Sequence, residues 1–340
     1  MNLTNKIEIS ELTSQNFPDF IKLLGERGYI PADFYDWKYM DRANKGIASG
    51  YVAYKDHQPV GCIGIINKIF VDRSGTATAA TWFADWYVST TSRGTGAGKA
   101  LMNKVADTAP TGLGIPGPLQ AQAVASKAGY KPLHGFIEVQ IPLRPWRVGH
   151  KRYSGTLIRR LARGLREVKN THGVIKRVAF NSTLTFGFPP IEQWLNAEKK
   201  GLQNRPHFQR SNSLLEWLQK MPVDDSTSRR WWHVDSNEMF AAGFIEKDTW
   251  GLQRCKVMEL ISFENKEADA FKSFLSLLHT SDTDLVVLLL HQNLVADIAI
   301  PQRWQLPVPL HITATAYENP GYLSLLDKES SWRELTFINE

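Results

Sequence analysis

The chain has 340 residues, 43% of them hydrophobic and 22% charged, which suits two globular domains and excludes a disordered or low-complexity protein. Its two cysteines, Cys62 and Cys255, exclude a disulfide framework and a cysteine-built zinc site, and with the polar start "MNLTNKIEIS" they point to the cytoplasm. The net charge of +6 is local: residues 144–177 hold eleven Lys/Arg against one acid, Glu167, so that segment is +10 and the remainder −4.

In chain order, "ISELTSQNFPDFIKLLGERG" predicts a short strand, then a helix carrying Phe17, Phe20, Ile21 and Leu24. "GYVAYKDHQPVGCIGIINKIFVD" predicts two strands joined by a turn at Asp56–Pro59, and "ATAATWFADWYV" a further, aromatic-rich strand. "AGKALMNKVADTA" reads as a helix with Ala97, Leu101 and Val105 on one face, ended by Pro110. "TGLGI" reads as a short strand, "LQAQAVASKAG" as a helix stopped by Gly129, and "KPLHGFIEVQIPL" as one closing strand. The order predicts a mixed α/β sheet ending near residue 145.

The basic segment follows. In "SGTLIRRLARGLREVK", Leu157, Ile158, Leu161, Leu165 and Val168 span an arc of about 100° on a helical wheel, and Arg159, Arg160, Arg163 and Arg166 lie opposite. An interdomain helix is the favoured reading, and contact of 151–169 with an anionic surface is the other. A nucleic-acid partner is not expected, because no aromatic interleaving or recognised module accompanies the charge.

Beyond an irregular opening, "NSLLEWLQKM" predicts a helix, and "RRWWHVD", "MFAAGFIEKDTW" and "CKVMELISF" predict strands. "EADAFKSFLSLLH" (helix), "DLVVLLLH" (strand), "QNLVADIAI" (helix) and "PVPLHITATAY" (strand) complete the chain. The apolar run "LVVLLL" is too short to span a bilayer. This order repeats the first half in outline, with a local echo of "FYDWKY" (34–39) in "LLEWLQ" (214–219). The expected organisation is a domain over 1–146, a basic helical linker over 147–189 and a second domain over 190–340.

The most specific signal is the run Arg93-Gly94-Thr95-Gly96-Ala97-Gly98-Lys99, between a strand ending at Val88 and a helix. Glycines let the backbone approach a ligand closely, and consecutive amides at a helix start converge on an anion. Two phosphate loops fail here. A Walker A loop needs a glycine where Arg93 stands and Ser or Thr where Ala100 stands, and a dinucleotide loop needs a glycine at Lys99. No metal-ligand spacing and no G-x-S-x-G elbow is present, so no metal is expected.

The loop resembles the [QR]-x-x-G-x-[GA] loop of the GNAT superfamily of acyl-CoA transferases. The Val88 to Arg93-Gly94 spacing and "ASKAGYKP" (125–132) are similar as well. The resemblance covers about 7–146 well and 190–340 in outline. It implies two α/β domains, each a mixed, mostly antiparallel sheet flanked by helices, and acetyl-CoA or another acyl-CoA as cosubstrate. The diphosphate would lie on the amides of Gly94 to Lys99, the strand ending at Val88 would splay from its neighbour, and the Val88 amide would polarise the thioester carbonyl. An amine would attack directly; the "WKY" run also resembles GNAT proteins of bacterial surface-polysaccharide synthesis, which implies an amino-sugar acceptor.

The family's usual base positions fall on Ala84 and Trp82, and its usual Tyr on Ala125. None of these can move a proton. Asp85 and Tyr87 are the catalytic candidates on the strand, with His134 and Glu138 in reserve. Strand alternation points Asp85 to the wrong face unless a bulge intervenes. A silent acyl-CoA-binding protein and an aminoacyl-tRNA-dependent transferase are the competing readings.

Overall fold

The computed structural model describes residues 6–313, apart from 27–31, 73, 109–110, 116, 134, 153–170, 172–173, 175–182, 204, 206, 223–228, 249, 264–266 and 309. The expected basic helix and His134 therefore lie outside the described residues.

The first half runs β1 (Glu8–Glu11), α1 (Phe17–Gly25), α2 (Ala32–Tyr35), a π-helical turn (Asp36–Met40), β2 (Ala48–Lys55), β3 (Gln58–Val71) and β4 (Ala77–Val88). It continues with α3 (Ala97–Ala106), β5 (Thr111–Gly114), α4 (Leu119–Lys127), β6 (Tyr130–Leu133), β7 (Phe136–Pro142) and α5 (Pro145–Arg152). The turn between β2 and β3 is made by Asp56 and His57, both at positive φ (51° and 62°), as a two-residue hairpin requires. The second half runs β8 (Thr185–Phe186), α6 (Ile191–Gly201), β9 (His207–Phe208), α7 (Asn212–Gln219), β10 (Arg230–Asp235), β11 (Met239–Lys247) and β12 (Gln253–Ser262). Then come α8 (Glu267–His279), β13 (Leu285–His291), α9 (Gln292–Ile298), β14 (Gln305–Pro307) and β15 (Leu310–Thr313).

Two mixed sheets result. One has the order β1-β2-β3-β4-β5-β15-β6, with β9 added beside β3; the other has the order β14-β7-β13-β12-β11-β10-β8. Each half thus lends one strand to the other's sheet. β15 pairs with β5 and β6, and β7 pairs with β13 and β14. The stretch expected as a single strand, "KPLHGFIEVQIPL", is two: Gly135, at φ 93°, lies in the break, and β6 and β7 go to different sheets.

One buried aromatic core joins the sheets. It includes Tyr35, Trp37, Tyr39, Trp82, Trp194, Trp217, Trp231, Phe240 and Phe244. At its centre Trp37 and Trp217, the tryptophans of the echoed hexads, stack with centroids 4.5 Å apart. Trp37 Nε1 donates to the Trp217 carbonyl at 2.8 Å and Trp217 Nε1 to the Trp37 carbonyl at 3.3 Å. The exchange is reciprocal. Two further cores back the outer faces, one under α3 (Phe83, Ala97, Leu101, Tyr130) and one under α8 (Trp232, Phe271, Phe274, Leu288).

Candidate functional site

β4 pairs with β5 from Ala80–Thr111 to Phe83–Gly114 and then continues alone to Val88. The pairing ends where the Phe83 ring crosses Gly114; a Cβ there would stand 2.4 Å from the ring. A notch therefore opens beside residues 84–88. On the other side, β4 keeps its partner β3, with Gly61 opposite Val88. Ser89 N donates to the Val60 carbonyl at 3.0 Å beside that pair. In antiparallel alternation this turns the N–H and C=O of Val88 itself away from β3, into the notch.

The notch leads to the glycine loop. Gly94 and Gly96 hold φ of 83° and 93°, and nothing lies within 4 Å of where a Cβ would stand on either. Any other residue would be strained there and would fill the space a ligand needs. α3 starts at Ala97, and its first helical bond runs from Ala100 N to the Gly96 carbonyl. The amides of Ala97, Gly98 and Lys99 precede that bond and point out of the helix start. Arg93, Gly94, Gly96 and Lys99 are exposed, Thr95 and Gly98 half-buried, and Ala97 buried. Loop, charge and open cradle fit a diphosphate.

A bulge does interrupt β4. Gly64 faces Ala84 and Cys62 faces Tyr87, so Asp85 and Trp86 together oppose Ile63. Asp85 takes a left-handed φ of 49° to make it. Trp86 and Val88 consequently pack with α3, while Ala84 and Tyr87 pack on the opposite, interdomain side. Asp85 turns to that same side.

There the carboxylate of Asp85 is taken. Its Oδ2 accepts from Lys38 Nζ and from the Tyr39 hydroxyl, each at 2.5 Å. Lys38 is 0% and Asp85 6% exposed. Burial, then the charge of Asp85, hold the Tyr39 phenol well above its ordinary pKa, so it stays protonated. Tyr39 reaches this position over Gly64, where a Cβ would stand 1.8 Å from its hydroxyl. Asn44 fixes the turn that carries both residues: it donates to the Tyr39 and Ala48 carbonyls and accepts from Ala48 N. Sequence reasoning missed Lys38 and Tyr39 as site residues. The signal was present in "DWKYM", a lysine set among aromatic residues.

Tyr87 sits half-buried at the end of the notch, and its hydroxyl donates to Glu26 Oε2 at 3.0 Å. Burial first, then that bond, raise its pKa. Glu138 lies on β7 in the other sheet, where it accepts from Gln140 Nε2 at 2.5 Å. No group of His, Cys, Asp and Glu suited to a metal occurs among the described residues. No described helix is long and apolar enough to cross a membrane. A pocket lined by Leu143, Arg144, Pro145, Trp146, Arg147, Thr171 and His279 belongs to the second sheet and holds none of the loop or notch residues.

Residues 8–129 match the family model described as Acetyltransferase (GNAT) family. No curated protein matches the chain in sequence. Among solved structures, a GCN5-related N-acetyltransferase from Anabaena variabilis aligns with TM-score 0.60 at 13% identity, over 91% of this chain and 73% of that one. The N-myristoyltransferase of Saccharomyces cerevisiae with bound myristoyl-CoA aligns with TM-score 0.58 at 13% identity, over 92% and 79%. A GCN5-related N-acetyltransferase from Kribbella flavida aligns with TM-score 0.55 at 14% identity, over 92% and 72%. At these identities the likeness is one of fold, and it extends over both halves.

Proposed function

We propose that this chain, a member of the GNAT acetyltransferase family through residues 8–129, transfers an acyl group from acyl-CoA, acetyl-CoA first among them, to an amine. The diphosphate rests on the amides of Gly94, Gly96, Ala97, Gly98 and Lys99, with Arg93 and Lys99 adding charge; the Thr95 amide is held by the Ser92 carbonyl at 3.3 Å and braces the loop. The pantetheine enters the notch beside residues 84–88, and the Val88 amide polarises the thioester carbonyl. The observation that carries this reading is the direction of the Val88 main chain: its free side faces the gap left where β5 departs.

The domains act unequally. Residues 1–146 hold the donor, and the second half walls the acceptor side through Trp194, Trp217, Trp231, Phe240 and Phe244 of the shared aromatic core. Asp85 works as an anchor rather than as a base, because Lys38 and Tyr39 occupy the oxygen it presents. A hydrophilic primary amine is the acceptor class to test first, amino sugars included.

Isothermal titration of acetyl-CoA into the wild type and Gly96→Glu tests the loop. The account expects one site in the wild type and a loss of about 10²-fold or more in the variant, with the circular dichroism spectrum unchanged. That figure corresponds to removal of roughly two charge-assisted hydrogen bonds. Equal affinity contradicts it. The sequestered Asp85 also favours a second reading, an acyl-CoA-binding protein without turnover. Thiol release across a panel of amines separates the two.

A further inference from the structure

With Asp85 engaged, the acceptor side of the notch needs another group to take a proton. We propose that Glu26 is the carboxylate that receives the acceptor amine and deprotonates it, and that Tyr87 positions it; this rests on the acyl-transfer reading above.

Three observations carry the assignment. First, Glu26 is exposed, whereas Asp85 is buried beneath its two donors. Second, Glu26 has a fixed place. It caps α1, with its N–H on the Lys22 and Leu24 carbonyls, and α1 packs against β3 and β4. Third, the Tyr87 hydroxyl holds its carboxylate at 3.0 Å, and Tyr87 immediately precedes Val88, whose amide faces the notch. After the bulge, Tyr87 points to the interdomain side, away from α3. Glu26 therefore stands on the acceptor side, at the far end of the Tyr87 side chain from the backbone that would hold the carbonyl. The charge of Arg93 reaches the same phenol.

The acceptor arrives as an ammonium, which a carboxylate binds more strongly than a neutral side chain does. Glu26 takes one proton and leaves a neutral amine. The nitrogen attacks the acyl carbon, the C–N bond forms and the C–S bond breaks. The thiolate leaves and gains the second nitrogen-bound proton, and Glu26 returns its own to water. The products are the N-acyl amine, the CoA thiol and one proton. Cationic primary amines are the substrate class this predicts.

The test uses the full chain, acetyl-CoA and five amines: putrescine, spermidine, glucosamine, lysine and tyramine. Glu26→Gln is expected to lower kcat/KM for the best amine by about 10²-fold, the usual contribution of a general base. Glu26→Asp restores part of it, and Tyr87→Phe costs about 10-fold, since the phenol acts through Glu26. Acetyl-CoA affinity stays within about twofold throughout, because the loop is untouched. A purely structural Glu26 would instead lower the thermal midpoint or the acetyl-CoA affinity and leave kcat alone. Wild-type kcat/KM in Glu26→Gln overturns the proposal while leaving the acyl-transfer reading intact. Failure of acetyl-CoA to bind, or binding with no thiol released on any of the five amines, overturns both.

Discussion

β4 leaves β5 after Phe83, and β12 leaves β13 after Lys256. A bulge comes next in each case: at Asp85–Trp86 in the first sheet, and in the second around Met258, where Gly243 faces Val257 and Ala242 faces Glu259. A buried acid–base pair sits at both, Asp85 with Lys38 and Glu259 with Arg210. The two halves therefore build the same splayed strand from dissimilar sequences. They differ in the connection from that strand to the next helix. Eight residues (89–96), the glycine-loop members Arg93, Gly94, Thr95 and Gly96 among them, connect β4 to α3, whereas four (263–266) connect β12 to α8. Residues 257–262 are buried throughout, and Gly201 at the end of α6 lies so close to Ile261 that a Cβ would stand 2.1 Å from it. Residues 86–88 remain half-buried. The proposed donor site therefore rests on more than a splayed strand: the first half adds a less buried edge and a glycine loop at a helix start.

The largest expected effects concern the two buried pairs. Lys38→Met leaves the Asp85 charge unpaired and should cost about 3–5 kcal/mol. That lowers the thermal midpoint by roughly 5 °C. Arg210→Met should cost as much at Glu259. Loss from one and not the other would break the correspondence between the bulges.

The stacked tryptophans rank second. Trp37→Ala and Trp217→Ala should each cost about 3–5 kcal/mol in chemical denaturation. Because the two rings stack on each other, the double variant should fall short of the sum by about 0.5–3 kcal/mol. Strict additivity would deny that the halves meet through this pair.

Gly64 and Gly243 sharpen the comparison further. A Cβ on Gly243 would stand 2.1 Å from the Lys256 carbonyl oxygen, a backbone atom, whereas on Gly64 it meets the end of the Tyr39 side chain. Gly243→Ala should cost about 3 kcal/mol and Gly64→Ala about 1–2 kcal/mol, the latter by displacing Tyr39 from Asp85. Reversed sizes would contradict the packing described for both strands.

The smallest effect is a pH dependence in the second half. Burial raises the Glu246 pKa, but Lys256 and Arg229 more than reverse this and hold the carboxyl below its ordinary value. Lys256 Nζ and Arg229 Nη2 each lie 2.9 Å from it. A depressed carboxylate stabilises the fold above the ordinary carboxylate range, and the contribution disappears as pH falls through the folded-state value. Glu246→Gln should cost about 1–2 kcal/mol at pH 7, and the difference from wild type should shrink as the pH falls below the ordinary carboxylate range, read from urea unfolding.

The sequence exposed the strands, the helix after Gly98, the glycine loop and the echoed hexads, because each is written in local patterning or spacing. Four features escaped it. Helix α6 (Ile191–Gly201) begins inside the stretch read as an irregular opening, where Pro189 and Pro190 read as loop although Pro190 stands at the helix N-cap. The bulge inserts one residue into β4, and alternation has no mark for an insertion that Asp85 absorbs with a left-handed φ. The exchange of β7 and β15 is a long-range pairing decided by which edge each strand meets, and a run such as "KPLHGFIEVQIPL" reads as one strand until Gly135 divides it. Lys38 was hidden because a lysine beside Trp37 and Tyr39 reads as a solvated charge, and the carboxylate that pairs with it in the core lies 47 residues away.

A crystal structure of the full chain with acetyl-CoA tests the central asymmetry most directly. One molecule per chain is predicted, with its diphosphate on the amides of Gly94 to Lys99 and its thioester beside Val88. A molecule seated between β12 and β13, or a diphosphate bound away from the glycine loop, would contradict the account.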